Sequence, residues 1–199
     1  MAIRIANLLL LVFLLHFGGL SFASRFSPQK ISPVTAMKEK VFEKMQLKWG
    51  PVGWKIVFKL EVPEAPPEET FWGIAHRNEK KIVIFVRPSY TVENTAATYA
   101  HELAHVFDYA YMTDDMRAEW LRIRGLSKDL QWHNTSLDDP EYSLGEGDFA
   151  ECFSWTFQKG RFNSELGIVP TKEQQSLIRK WVASMQPKAT LEALRKASN

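Results

Sequence analysis

The sequence predicts an α+β fold in which a small twisted sheet packs on one long helix and a helical C-terminal part follows. Three observations point there. Short alternating apolar segments are confined to residues 54–86, the pattern turns helical from Thr91 onward, and the longest helical stretch carries His101-Glu102-Leu103-Ala104-His105 opposite an apolar face. The 199 residues, 45% hydrophobic and 24% charged, suffice for one core and so for a single domain over residues 24–199. A net charge of +2, with Lys and Arg scattered, excludes a nucleic-acid stripe and a polybasic membrane patch. A monomer is expected.

Residues 1–23 have the three parts of an export signal. Arg4 precedes an apolar run over residues 8–15, and Ser21 and Ala23 stand at the small-residue cleavage positions. The run is shorter than the roughly 20 residues a spanning helix takes, so a cleaved signal is expected over an uncleaved anchor, with a secreted or periplasmic destination and no membrane attachment afterwards. The single Cys152 allows no intramolecular disulfide; Phe149, Phe153 and Phe157 around it indicate a buried thiol.

Val34, Met37, Val41 and Met45 recur at helical spacing over residues 34–48 until Gly50, Pro51 and Gly53 stop the pattern. Residues 54–62 alternate, with Ile56, Phe58, Leu60 and Val62 on one face. The proline-rich acidic stretch 63–69 cannot join a sheet interior, and residues 71–76 and 82–86 form an antiparallel hairpin across Arg77-Asn78-Glu79-Lys80. Helices are expected at 91–111, 114–124, 148–158 and 171–185, the last opened by a Thr171/Gln174 capping box. Residues 125–147 are irregular and long for a connection, which marks them as substrate-facing.

His101 and His105 lie four apart, on one helical face, so both imidazoles can reach one ion at a bond length of about 2.0–2.1 Å. Glu102 is about 100° further round, beside the ion, where a general base must stand. Ala96, Ala100, Leu103, Phe107 and Ala110 form the packing stripe, and Asp108 shares the histidine face as an acceptor for an imidazole N–H or a neighbouring group. A catalytic zinc needs a third protein ligand and an open position. Asp148 and Glu151, three apart on a later helix, both qualify, while Phe149, Cys152, Phe153 and Thr156 supply that helix's packing face. Tyr142 and His133 are candidates for stabilising an oxyanion; His76 and His16 have no comparable case.

The two segments, H-E-L-A-H-x-x-D at residues 101–108 and D-F-A-E-C-F at 148–153, resemble gluzincin-type zinc metallopeptidases, particularly the bacterial titration-factor aminopeptidases. The resemblance covers about fifteen residues. It implies a zincin-like metallopeptidase domain, Zn2+ as cofactor, and Glu151 as third ligand beside His101 and His105. It further implies a peptide or protein substrate hydrolysed through a metal-activated water with Glu102 as base, and the strand at 82–86 as the edge along which the peptide aligns. A lethal-factor-like arrangement is also similar, with its ligand four residues before the later glutamate. That position is Gly147 in this chain, leaving Asp148 or Glu146 as fallback ligands. The rival expectation is a non-catalytic zinc-containing module that docks to a protein partner.

Overall fold

The computed structural model describes residues 32–47, 49–60, 72–87, 89–133 and 140–185. The export signal, Val62, the acidic stretch at 63–69 and Phe71 lie outside the described residues. From Ser32 the chain forms one compact unit, and no helix among the described residues is long and apolar enough to cross a membrane.

Helix α1, Pro33–Lys44, opens with Ser32 accepting the Thr35 N–H and a proline in the first turn, where its missing N–H costs nothing. It ends four residues before the apolar periodicity does. Met45, Leu47 and Trp49 nevertheless stay buried, because the non-helical chain that follows turns alternate side chains into the same core.

Strands β1 (Lys55–Leu60), β2 (Gly73–His76) and β3 (Lys81–Val86) form a sheet in the order β1-β3-β2. The expected hairpin is present, with β2 antiparallel to β3, Ile74 opposite Val83 and a turn closing at Lys80. The sequence did not disclose that β1 pairs parallel with β3. Two expectations are corrected here. Leu60 is exposed, so the inward alternation of β1 ends at Phe58. Strand 82–86 is the centre of the sheet, with Ile82 and Ile84 fully buried; its continuous apolar run is that of an interior strand, and β2 is the edge nearest the motif helix.

Helix α2, Val92–Tyr111, is capped by Thr91 and packs against α1, β2, β3 and the later helix Gly145–Gln158. Helix α3, Asp114–Arg124, ends at Gly125, whose φ of 71° closes the turn. A 3-10 turn, Glu141–Ser143, leads into α4, Gly145–Gln158, and α5, Lys172–Ser184, is the last helix among the described residues, behind the predicted capping box. The fold is α+β, with five helices and one small sheet among the described residues.

Helix α4 starts three residues before the sequence suggests. Gly145 and Gly147, which the sequence leaves in the irregular stretch, are each a point of close approach. A β-carbon at Gly145 would meet the Trp132 ring at 2.6 Å, and one at Gly147 the Glu141 carbonyl oxygen at 2.1 Å. In place of a side-chain cap, the Gly145 and Glu146 N–H groups donate to the carbonyls of Gln131 and Trp132.

Asp148 anchors α4 to α3. The Arg124 guanidinium donates to both of its oxygens at 2.6 and 2.9 Å, Trp120 Nε1 and Ser164 Oγ add two further bonds, and both charged side chains are almost fully buried. Arg124→Ala should cost about 3–5 kcal/mol in urea unfolding, because it leaves a buried carboxylate without its partner. Cys152, one turn further on, is fully buried, and burial together with the Asp148 charge pushes its thiol well above the usual range. In the native protein it should resist a thiol-exchange reagent and react fully only in urea.

Candidate metal centre

Helix α2 is buried on both sides. Ala96, Ala100, Leu103 and Phe107 are fully buried, as predicted, although Ala110 is exposed and leaves the stripe. On the opposite side His101, Glu102, His105 and Asp108 are also buried, because α4 covers the histidines and β2 covers the glutamate. Polar groups buried this densely must be satisfied by one another or by a ligand.

The Nε2 atoms of His101 and His105 stand 3.1 Å apart, and both face Glu141 Oε1, at 2.7 and 2.8 Å. Three lone-pair donors thus converge on one point. Ligand atoms arranged tetrahedrally at about 2.0–2.1 Å from a zinc ion stand about 3.4 Å apart, so the triangle needs to open by only a few tenths of an ångström to accept one. The grouping can hold a metal ion, and its chemistry, two imidazoles and a carboxylate, suits one.

Glu151, the expected third ligand, is on the other side of the ring. Its Oε1 accepts His101 Nδ1–H at 2.9 Å, and its Oε2 accepts the Asn163 N–H. That bond fixes the His101 tautomer and turns its Nε2 toward His105 and Glu141. The sequence missed Glu141. The signal available was Gly147, one helical turn before Glu151, where the missing side chain lets the 3-10 turn approach α4 and insert its own carboxylate.

The fallback Asp148 is excluded by its engagement with Arg124. Glu146 lies 4.0 Å from His105 Nδ1, a ring nitrogen that has no hydrogen-bond partner among the described residues. Asp108 is buried as expected, but it accepts from Arg117, Trp132 and His133 rather than from either motif histidine. Of the two oxyanion candidates, Tyr142 sits with its ring 6.1 Å from that of His101, whereas His133 is tied to Asp108.

Glu102 rests on β2. Its Oε1 would be 2.6 Å from a β-carbon at Gly73, and it accepts the backbone N–H of Ala75. Burial raises its pKa to about 7 against the opposing charges of His101 and His105, in the range where a carboxylate works best as a base near neutrality. For Glu141 burial also pushes upward, but the two imidazoles outweigh it and hold the carboxyl far below its ordinary range. Burial would lower both histidines, but the charge and hydrogen bonds of Glu141 outweigh it together with the charge of Glu102 and, at His101, the hydrogen bond to Glu151, so both are raised. The same field favours any cation between the rings, where a divalent ion competes with protons.

Compared with protein-family models, with curated proteins and with solved structures, the chain matches none.

Proposed function

We propose that the protein is an exported, zincin-like zinc metallopeptidase in which His101, His105 and Glu141 hold the metal and Glu102 is the general base. The observation that carries this reading is the convergence of three donor atoms within 3.1 Å of one another, with a buried carboxylate on the adjoining residue of the same helix. A zinc ion there supplies Lewis acidity to a water and to the scissile carbonyl. The residues do the rest. Glu102 takes a proton from the attacking water and returns it to the leaving amine. Glu151 keeps His101 oriented, and the Tyr142 hydroxyl would donate toward the developing oxyanion. The substrate edge of this reading moves from β3 to β2, which pairs only with β3 among the described residues and whose Ala75 already touches the base.

Metal analysis of the purified protein combined with cleavage of a broad peptide library tests the proposal. Stoichiometric zinc and chelator-sensitive cleavage are expected. Stoichiometric zinc with no turnover across the library would instead favour the docking module, and absence of any bound transition metal would remove both.

A further inference from the structure

The carboxylate-rich centre has a positive neighbour. Trp72, immediately before Gly73 on the edge strand, carries two guanidinium groups on its ring, with Cζ of Arg161 at 5.0 Å and of Arg87 at 6.0 Å from the ring centroid. Tyr90 closes the cluster, its ring 5.0 Å from that of Trp72 and 5.1 Å from Arg87 Cζ. Arg161 is exposed, and among the described residues it has no carboxylate in ion-pair contact.

Its position relative to the centre follows from its neighbours in the chain. Two residues on, the Asn163 N–H bonds Glu151, and the Glu165 N–H bonds the Tyr142 carbonyl. The segment bearing Arg161 therefore runs from the metal centre to the start of β2. Stacking on an indole holds two like charges together where water alone would let them separate, and a guanidinium so held presents its N–H fork to a carboxylate.

We infer that Arg161, with Arg87 behind it on Trp72, forms a substrate subsite for a carboxylate, borne either by an acidic side chain or by the peptide's C-terminus. The subsite rests on the proposed peptidase reading, because it lies where a strand added to β2 would pass. Charge-assisted hydrogen bonds to such a group make a difference of about tenfold or more in affinity.

The test uses full-length Glu102→Gln protein and dye-labelled alanine-based hexapeptides. One Glu or Gln is scanned through the positions, with a free or amidated C-terminus, and binding is read by fluorescence anisotropy. One carboxylate-bearing peptide should bind about tenfold or more tightly than its neutral counterpart. Adding Arg161→Ala should erase that difference without weakening the neutral peptide, and Arg161→Lys should retain part of it. Dependence on Glu position identifies a side chain as the source, and dependence on amidation identifies the terminus. Equal binding of charged and neutral peptides, equal weakening of both by Arg161→Ala, or no binding of any peptide would overturn the subsite. Cleavage by the wild type with no carboxylate preference sinks the subsite alone. An Arg161-dependent preference without wild-type cleavage sinks the peptidase reading alone.

Discussion

Glu102→Gln should lower peptide turnover by about 10²–10⁴-fold while leaving stoichiometric metal in place. The amide has nearly the shape of the carboxylate, so it still fits over Gly73 and still accepts the Ala75 N–H through its oxygen. It cannot take a proton at neutral pH. Neither imidazole uses Glu102 as its hydrogen-bond partner, since His101 is held by Glu151 and Glu141 and His105 by Glu141, so the proposed metal-binding atoms keep their places. Paired measurement of zinc content and kcat on the same preparation checks this. A Gln variant with unchanged kcat would remove Glu102 from the chemistry, and one that lost its zinc would show that the residue supports the site rather than the reaction.

The second large effect separates the two carboxylates nearest His101. Glu141→Ala should weaken zinc binding by more than about 100-fold in a competition with a chelator, whereas Glu151→Ala should fall within the 10–100-fold that partners of ligating histidines cost. The difference follows from geometry: Glu141 Oε1 faces both Nε2 atoms, while Glu151 reaches His101 only through Nδ1. Glu151→Gln adds a finer measure, because an amide oxygen can still accept the Nδ1–H and should restore most of the affinity. The reverse ranking, with Glu151→Ala losing the metal and Glu141→Ala keeping it, would return the third-ligand role to Glu151.

The helical half of the molecule was legible because its signals are local. Thr91, Thr113 and Thr171 cap helices within a residue or two of where the pattern placed them, and the four-residue spacing of His101 and His105 needs nothing but helical geometry to bring the rings together. What the sequence concealed was non-local. A parallel pairing of β1 with β3 depends on a crossover that no periodicity in either strand records. Glu141 precedes Glu151 by ten residues and stands in a short turn, where no repeat assigns a direction to its side chain. Only the vacancy at Gly147 hinted that something else occupies that flank of α4. That Asp148 turns to Arg124 was hidden for a related reason: its partner is on a different helix, and a buried ion pair between helices leaves no mark in either one's pattern.

The glycine at the head of β2 sets a distance. Because Glu102 fills the space a β-carbon at position 73 would take, helix and strand come closer there than two side-chain-bearing surfaces can. A peptide hydrogen-bonded along that rim would have its amide plane brought within range of the base by the backbone alone, before any of its own side chains is sensed. Depth of approach and choice of sequence would then be governed by separate parts of the protein. Exchanging residues around Trp72 could retune which peptides are favoured without altering how far any of them reaches in.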